Sequence, residues 1–270
     1  MAEIRIQYRN VTKEFPGQKG GRNSEGSVLA VVDVDVTVFD GEVVSLIGPS
    51  GCGKSTLLNM GAGLYLPSAG EVFVDGEKVT RPNRHVGFML QKDLLLPWRT
   101  IRRNVELGLE IQGVQADERS ERALRLLNTC RLDGFENHYP HQLSGGMRQR
   151  ASLARTLAVD PSVLLMDEPF SALDAQTKMV LQQDLAKTLH TESKTALFIT
   201  HDLTESVILS DRVLVMSQRP GTIIEEIPVD LPYRDQPMRR LQEHQKSIAT
   251  YVARLMELLH VGELVEEVAI

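Results

Sequence analysis

The most informative segment of this 270-residue chain reads Val43-Val44-Ser45-Leu46-Ile47-Gly48-Pro49-Ser50-Gly51-Cys52-Gly53-Lys54-Ser55-Thr56. Its apolar start, Val43–Ile47, is typical of a strand buried on both faces of a sheet. Gly48–Ser55 matches the pattern G-x-x-x-x-G-K-[ST] of a phosphate-binding P-loop, and a helical run, Thr56–Met60, follows it. A strand, a glycine-rich loop and a helix in this order predict a phosphate site in an α/β fold.

The residue types of this loop suit nucleotide phosphates. Glycines let backbone N–H groups converge on phosphate oxygens, and the helix start adds partial positive charge. We expect Lys54 to reach the β- and γ-phosphates and the Ser55 hydroxyl to ligate Mg²⁺. The alternative is a chance glycine-rich turn, which the bare pattern would produce in roughly one chain of this length in a hundred. The flanking strand and helix favour the functional interpretation.

Other apolar runs continue this pattern along the chain. Those with the length of buried strands, separated by helical patterns, are Val86–Leu90, Val163–Met166, Ala196–Thr200 and Arg212–Met216. Buried strands that alternate with helices predict a mostly parallel α/β sheet. Ile4–Tyr8 and Val32–Val38 instead alternate apolar and polar residues, as strands with one buried face do. Ile101–Ala158 contains no good strand, which indicates a helical insert of about residues 92–158.

The C-terminal tail, from about Leu231, has a different pattern. Apolar residues recur at helical spacing across Arg239–His260 and predict one amphipathic helix: Leu241, Ile248, Val252, Leu255 and Leu259. Packing of this helix against the core is the simpler interpretation, and a dimer or regulatory contact is the alternative. Pro16–Ser27 is rich in glycine and polar residues, which indicates a flexible loop. We therefore divide the chain into a domain of residues 1–230 and a helical tail of residues 231–270.

The overall composition argues against several classes of protein. Hydrophobic residues make up 42% and charged residues 24%, as in ordinary globular domains, and the net charge of -6 leaves no basic footprint for nucleic acid. The two cysteines favour a reducing compartment over a secreted, disulfide-bonded protein. No apolar run approaches the ~20 residues that cross a bilayer, and Met1–Arg5 does not resemble a secretory signal. We therefore expect another chain to supply any membrane-spanning helices.

A pair of carboxylates follows one of the apolar runs. Asp167 and Glu168 come directly after Val163–Met166, at the strand end where ligands bind in parallel sheets. Asp167 is expected to bind Mg²⁺, directly or through water, and Glu168 to activate a water as general base near the γ-phosphate. Alone this signal is weak, because strands that end in Asp-Glu are common and usually solvated. The P-loop upstream is what favours a functional interpretation of these two carboxylates.

A second helix start with phosphate-binding character lies at Leu143-Ser144-Gly145-Gly146-Met147. Ser144 is a natural N-cap for the helix that Arg148–Val159 is expected to form. Gly145 and Gly146 leave the backbone N–H groups at that start bare, which suits a phosphate. An ordinary Ser-Gly-Gly turn is the alternative, and it would be preferred if this segment stood alone.

With two such helix starts and one set of metal-binding carboxylates, the chain resembles the ABC ATPases. Leu143–Met147 is similar to their signature motif L-S-G-G-Q, with Met147 in place of the commonest glutamine. The resemblance implies that the signature contacts ATP held by a second copy, so that a homodimer is expected. It also implies a P-loop ATPase core with a mostly parallel sheet, an N-terminal antiparallel β part, a helical insert subdomain, and ATP and Mg²⁺ as ligands.

The other landmarks of that family occur in its order. Phe15 matches the aromatic residue that stacks on adenine, and Gln91 the Q-loop glutamine that senses Mg²⁺ and couples to the membrane partner. Ser171–Asp174 matches the D-loop of the dimer interface, and His201 the switch histidine at the γ-phosphate. Taken singly, each of these residues could instead be an ordinary core or surface residue. The resemblance implies catalytic roles for Lys54, Gln91, Glu168 and His201. The metal ligands would be Ser55, Gln91 and Asp167.

Three further segments resemble the nitrate, sulfonate, taurine and pyrimidine-precursor importers: Leu96–Arg99, His138–Gln142 and Gln218–Gly221. This implies an ATPase at the cytoplasmic face of the membrane, a separate transmembrane permease and, indirectly, a periplasmic or lipoprotein solute-binding protein. A separate-chain exporter ATPase and a soluble ABC ATPase are the alternatives. Long coiled coils and a second cassette, which mark relatives that act on DNA or ribosomes, are not found in the sequence, and neither is the guanine motif of GTPases.

Two side chains carry more specific expectations. Cys52 lies in the P-loop at a helix start, a setting that favours thiol reactivity, so we expect thiol reagents to inhibit the ATPase and bound ATP to protect it. Trp98, the only tryptophan, either contacts the permease or packs within the insert.

Overall fold

The computed structural model describes residues 3–16, 27–171 and 173–259. The strands are β1 (Ile4–Phe15), β2 (Val28–Phe39), β3 (Val43–Ile47), β4 (Ala69–Val74), β5 (Glu77–Lys78), β6 (Val86–Met89), β7 (Val163–Asp167), β8 (Thr195–Ile199), β9 (Arg212–Met216) and β10 (Ile223–Pro228). The helices are α1 (Lys54–Gly61), α2 (Ile101–Val105), α3 (Leu107–Ile111), α4 (Ala116–Thr129), α5 (Gly145–Ala158), α6 (Ala175–Thr191), α7 (Leu203–Leu209), α8 (Pro237–Glu243) and α9 (Gln245–Leu258). The predicted flexible loop falls largely outside the described residues.

The strand before the P-loop, β3, lies inside a six-stranded sheet of order β10-β9-β3-β8-β7-β6. Neighbouring strands from β9 to β6 are parallel, and the edge strand β10 runs antiparallel. Every residue of β3 is buried, as its apolar run predicts. Because these strands are parallel, the residues that follow β3, β6, β7 and β8 emerge at one edge of the sheet. The mostly parallel sheet is therefore confirmed.

A second sheet has four antiparallel strands in the order β2-β1-β4-β5, which confirms the antiparallel N-terminal part. Strands β1 and β2 extend well beyond the alternating segments that predict them. The sequence does not predict β4, β5 or β10. Both residues of β5 are exposed, and β10 contains Glu225 and Glu226, so neither strand has an apolar pattern. Their strand structure follows from pairing with neighbours.

Two hydrophobic clusters lie on opposite faces of the parallel sheet, because alternate residues of its strands enter different clusters. In β3, Val43 and Ile47 pack with the helical insert and the tail, whereas Val44 and Leu46 pack with α1 and the antiparallel sheet. Between β6 and β7 the described chain contains α2 to α5 and no strand, as the sequence predicts. Of the helices that the structure describes, none is long and apolar enough to cross a membrane.

The tail differs from its prediction. Two helices, α8 and α9, replace the single helix expected over Arg239–His260, and they meet at His244, whose backbone is not helical (φ −121°, ψ 30°). His260 lies outside the described residues. Both helices contact α7, with Arg240 of α8 and Ile248 and Leu255 of α9 fully buried. The break gives each helix its own direction, so that both turn buried residues toward the core.

Candidate functional site

The P-loop connects the buried strand β3 to helix α1. Gly51 and Gly53 have a left-handed backbone, with φ of 76° and 111°, which glycine adopts without a steric cost. A Cβ on Gly53 would also lie 2.5 Å from Cγ1 of Val31, so strand β2 leaves no room for a side chain there. Gly53 precedes α1, and no side chain caps this helix start. The N–H groups of the first turn are therefore left for a ligand.

Lys54 lies at the first position of α1 and bends back over the loop. Its ammonium donates to the carbonyl oxygens of Gly48 and Pro49, at 2.8 Å each. Among the residues with described positions, no carboxylate forms an ion pair with it. The charge is thus oriented by the loop but not neutralised, which is the arrangement that an anionic ligand needs.

Asp167 ends β7 beside the P-loop. Burial raises the pKa of its carboxyl above the ordinary value; a hydrogen bond with the Ser55 hydroxyl opposes the shift, and the charge of Glu168 adds to it. A cation bound here would stabilise the charged form that burial disfavours.

Glu168 is the point where three predicted residues meet. Its backbone has φ of 47°, unusual for a residue with a side chain, and its N–H donates to the carbonyl oxygen of Ile199 in β8. The Gln91 amide donates to Glu168 Oε2 at 2.8 Å, and Nδ1 of His201 lies 3.6 Å from the same oxygen. Residues that follow β6, β7 and β8 thus converge on one carboxylate, as expected at the edge of a parallel sheet.

A cleft of about 470 Å³ joins these groups to the P-loop. It is lined by Phe15, Ala30, Gly48, Ser50, Gly51, Gly53, Lys54, Ser55, Thr56, Glu168, His201 and Arg219. Most of the predicted nucleotide-binding residues therefore share one space. Pro49, Cys52, Gln91 and Asp167 do not line it but lie directly behind its walls, in contact with Lys54, Ser55 or Glu168.

Arg219 lies at this cleft without having been predicted as a site residue. It belongs to the turn between β9 and β10, and its Nε donates to the carbonyl oxygen of Leu29 at 3.4 Å. Gly221 of the same turn packs against the backbone of Cys52, and its N–H donates to the carbonyl oxygen of Ala30. The turn therefore packs against the P-loop and helps to hold its backbone in place. The segment Arg219-Pro220-Gly221 can be read from the sequence as a turn, but nothing in the sequence indicates that it lies at the cleft.

Phe15, the residue expected to stack on adenine, ends β1 at the rim of the cleft. Its ring is half-buried and packs edge-on against Tyr65, with ring centroids 5.5 Å apart. The Lys13 ammonium lies 5.1 Å from the centre of the same ring. These contacts fix the ring while leaving part of it exposed, which suits the face-to-face packing of a planar ligand.

The predicted signature residues are not in the cleft. Ser144 precedes α5 and caps it, since its hydroxyl accepts a hydrogen bond from the Met147 N–H at 3.3 Å. Gly145 is exposed, and Gly146 packs so closely on Thr177 of α6 that a Cβ would collide with its methyl group. This confirms Ser144 as an N-cap.

Asp174, from the predicted D-loop, also lies apart from the cleft. Its carboxylate accepts a hydrogen bond from the Thr177 N–H at 3.0 Å and caps α6. Hydrogen bonds from Thr177 hold the pKa of this exposed carboxyl below its ordinary value. Ala172 of the same segment lies outside the described residues. Ser144, Gly145, Gly146 and Asp174 therefore form a second group of candidate residues, around the contact between α5 and α6.

Cys52 corrects one expectation from the sequence. Its side chain is 1% exposed, within the cluster under α1, and its Sγ lies 3.8 Å from the Lys54 ammonium. A reagent in solution cannot reach this sulfur while the loop keeps its conformation. The prediction of a reactive thiol took account of the helix start but not of the burial, and it is wrong in that respect.

The residues beside Lys54 fit a hydrated magnesium ion. Within the described ranges, no group of three or more His, Cys, Asp or Glu side chains could enclose a metal. Mg²⁺ usually keeps several waters and binds one or two carboxylates plus substrate phosphates. Asp167, the Ser55 hydroxyl and the Gln91 amide offer that kind of partial ligand set.

Comparison with known proteins identifies relatives of this chain. Residues 31–171 match the family model described as ABC transporter. An uncharacterized ABC transporter ATP-binding protein of Methanocaldococcus jannaschii is 44% identical over 249 residues, which cover 91% of this chain and 90% of the relative. The taurine import ATP-binding protein TauB of Yersinia pestis is 42% identical over 233 residues, 85% of this chain and 90% of the relative.

Solved structures with the same fold are also found. One is a dimeric ATP-binding cassette in a post-hydrolysis state, bound to ADP and Pi, with a TM-score of 0.73 and 35% identity over 83% of this chain and 98% of that one. Another is a dimeric structure of a bacterial ABC transporter cassette, with a TM-score of 0.74 and 34% identity over the same shares.

Proposed function

This chain belongs to the ABC transporter family and is an ATP-binding ATPase, and we propose that it powers an importer of a small solute that is anionic or contains nitrogen or sulfur. The observation that carries the solute class is the 42% identity to taurine import ATP-binding proteins. The importer-like segments Leu96–Arg99, His138–Gln142 and Gln218–Gly221 support the same assignment.

ATP would bind between two copies of the chain arranged head to tail. The cleft around Lys54 supplies donors from one side, whereas Ser144, Gly145 and Gly146 lie at another helix start, outside it. A second copy would bring its signature residues opposite the P-loop, with Asp174 near the interface. Both structural relatives are dimers, which supports this arrangement.

Within each site, the described contacts suggest a division of roles. Glu168 accepts the proton of the attacking water, and Gln91 and His201, which touch its carboxylate, orient it. Lys54 complements charge on the β- and γ-phosphates. Mg²⁺, held by Ser55, Asp167 and Gln91, would neutralise phosphate charge when bound. Phe15 would stack on adenine.

The test of this proposal is Glu168→Gln. The amide keeps the shape but cannot accept the proton, so hydrolysis should fall by about 10²–10⁴-fold while ATP still binds. Dimers should then accumulate with ATP in size-exclusion chromatography. Glu192→Gln, at an exposed site after α6, is the matched control and should behave as wild type. A strictly monomeric profile of the Glu168 variant at high protein and ATP concentrations would contradict the dimer.

We propose that a permease docks at the groove that follows Gln91. Trp98 is 72% exposed, so it does not pack within the insert. It lines a groove of about 560 Å³ whose other walls are mostly charged residues from the segment of α2 and α3 and from the start of α4. The segment before it is tied to the signature helix α5. Arg148 pairs with Asp93 at 2.9 Å, and Arg155 donates to the Leu94 carbonyl at 2.8 Å. A permease helix held here would therefore move with α5.

Trp98→Ala tests the docking site. It should leave ATP hydrolysis by the isolated subunit unchanged but weaken co-purification with the permease and lower solute uptake. Ile111→Ala removes another highly exposed apolar side chain of the insert, one that does not line the groove, and serves as control. Normal assembly and uptake with the Trp98 variant would refute this docking site.

The remaining assignments rest on the same argument. We propose residues 1–230 as the ATPase domain, with an insert of about residues 92–158, and residues 231–270 as an appended tail. The chain would work at the cytoplasmic face of a membrane. A periplasmic or lipoprotein solute-binding protein would be an indirect partner, and nucleic acid would not be one.

A further inference from the structure

A buried arginine connects the C-terminal tail to the helix after the switch histidine. Arg240 of α8 is 1% exposed. Its guanidinium donates to the carbonyl oxygens of Val207, Ile208 and Ser210, at 3.0, 3.3 and 2.9 Å, and also to that of Leu231. The first three carbonyls end α7, where a helix has no partners of its own for its last C=O groups. Arg240 is therefore the C-terminal cap of α7.

This cap places a charged group in the protein interior. In the part of the chain that the structure describes, no carboxylate forms an ion pair with Arg240, and burial lowers its pKa to about 10. Val207, Ile208, Leu209 and Ser210 are all buried, so water cannot easily satisfy their carbonyls if the guanidinium is removed. A buried charge that is hydrogen-bonded only to backbone carbonyls is costly to keep, although the nearby Asp211 carboxylate favours the charged form. The guanidinium keeps its position only while α7 keeps its position.

The other end of α7 is capped by Asp202 and contacts α6. Asp202 caps the helix by accepting from the Glu205 N–H at 3.0 Å. The Lys178 ammonium lies 2.8 Å from the Asp202 carboxylate and 2.9 Å from that of Glu205, which is buried. His201 immediately precedes this cap, and its ring lies at the surface, 69% exposed. The position of His201 is thus set less by its own packing than by where α7 lies.

We propose that Arg240 is a positioning residue for ATP hydrolysis, through which the tail holds α7 and thereby His201 beside Glu168. Helix α7 has seven residues, so its C-terminal end, where Arg240 binds, is only about two helical turns from His201. A shift of the helix at that end can therefore displace His201. The proposal rests on the proposed role of His201 in hydrolysis. It also gives the tail a function in the reaction rather than only in packing.

The experiment compares Arg240→Met with Arg239→Ala in the full chain. Methionine keeps much of the apolar stem but removes every donor. Arg239, the preceding residue of α8, lies on the exposed side, where it pairs with Glu243 and stacks on Tyr233, and is a matched control. We expect Arg240→Met to lower kcat on the order of 10–100-fold, as a misplaced reactive group does, with KM for ATP and nucleotide affinity unchanged. Arg239→Ala should match wild type.

Lysine at position 240 keeps the charge and part of the donor set, so Arg240→Lys should restore part of kcat, and it serves as the test variant if Arg240→Met does not fold. A wild-type kcat in a folded Arg240 variant overturns the proposal, and so does a parallel loss of nucleotide affinity, which would indicate general damage.

A double variant separates this proposal from the role of His201. In a His201→Ala background, Arg240→Met should cause no further loss of kcat, because the group that it positions is already absent. An equal loss in both backgrounds would show that Arg240 does not act through His201. Wild-type hydrolysis by His201→Ala alone would instead refute the proposed role of His201, independently of any effect at Arg240.

Discussion

Helices α1 and α5 both begin at glycine-rich segments, but the two starts are built differently. Gly53 precedes α1 with a left-handed backbone and offers no side-chain acceptor. Ser144 precedes α5 in an extended conformation (φ −65°, ψ 163°), and its hydroxyl already accepts from the Met147 N–H. The start of α1 shares its cleft with a lysine, a glutamate and a histidine. The start of α5 packs instead against α6 through Gly146.

This difference indicates that the start of α1 serves the reaction, whereas the start of α5 serves packing and assembly. Around α1, the glycines leave room for phosphate, and charged groups that can take part in hydrolysis surround that space. Around α5, one glycine is required by the neighbouring helix, and the Ser144 hydroxyl already accepts from an N–H of the first turn. Substitutions of the charged side chains around α1 should therefore change catalysis with little change in stability. Substitutions at α5 should change the free energy of unfolding as well.

Among substitutions at the two helix starts, the largest effect should follow Lys54→Ala. It removes the ammonium that the loop orients toward phosphate, so hydrolysis should fall by about 10²–10³-fold, as when one preorganised donor is lost. The melting temperature should change little, because the lysine forms hydrogen bonds with two backbone carbonyls of the loop and only a long contact with the Cys52 sulfur. Phosphate release and thermal unfolding measure the two. Lys246→Ala, on the exposed side of α9, is the control. A strongly destabilised Lys54 variant would contradict the claim that side chains at the start of α1 affect catalysis but not stability.

The next effect should come from Gly146→Ala. The added methyl would collide with the Thr177 methyl of α6 and should cost about 1–3 kcal/mol of unfolding free energy, as overpacking does. Thr177→Ser removes the obstructing methyl and should restore most of that loss in the double variant. Gly145→Ala, at the exposed neighbouring position, should cost much less. If Gly145 and Gly146 variants were equally stable, the packing explanation for Gly146 would fail.

Some parts of this fold follow from local sequence and others do not. Strands β3 and β9 have the predicted bounds, because a strand buried on both faces produces a continuous apolar run. Strand β5 has two exposed residues and exists through pairing, which leaves no local pattern. The apolar spacing of the tail continues across His244, so it does not reveal the break between α8 and α9.

The candidate site shows the same division. The P-loop and Asp167-Glu168 combine residue types that rarely serve another purpose together, and the structure brings them to one edge of the sheet. Arg219 and Arg240 were not predicted, since both bond to backbone carbonyls, and any residue can supply those. An arginine whose partners are carbonyls of distant residues has no signature in the sequence. Only the fold shows which carbonyls are without partners.

A smaller effect should appear in the stability of Asp167→Asn. Burial raises the pKa of Asp167, so the stability that this group contributes is present at low pH and lost as the pH rises through its folded-state value. Asparagine removes that loss, so the apo variant should melt about 2 °C higher at pH 7 to 8. The difference should shrink as the pH falls toward the ordinary pKa of an aspartate, about 4. Thermal unfolding at several pH values measures it.

Asp160→Asn provides a control of opposite sign. A hydrogen bond from Lys194 holds the pKa of the Asp160 carboxyl below its ordinary value, so this substitution should slightly lower stability at neutral pH. Hydrolysis should fail only in the Asp167 variant, because the Asp160 carboxylate is not at the cleft. A less stable apo Asp167→Asn at neutral pH would show that its charge supports the folded state, contrary to the argument from burial.

The smallest effect is expected from thiol reagents. Cys52 is 1% exposed and Cys130 is 4% exposed, and burial raises the pKa of Cys130 to about 12. A chromogenic disulfide reagent should therefore modify neither thiol in the folded protein and leave hydrolysis unchanged, whereas both should react in denaturant. Rapid inhibition that ATP prevents, and that Cys52→Ala abolishes, would contradict this. It would mean that without nucleotide the start of α1 opens far enough to expose the sulfur, and that the loop acquires its described conformation only when phosphate is bound.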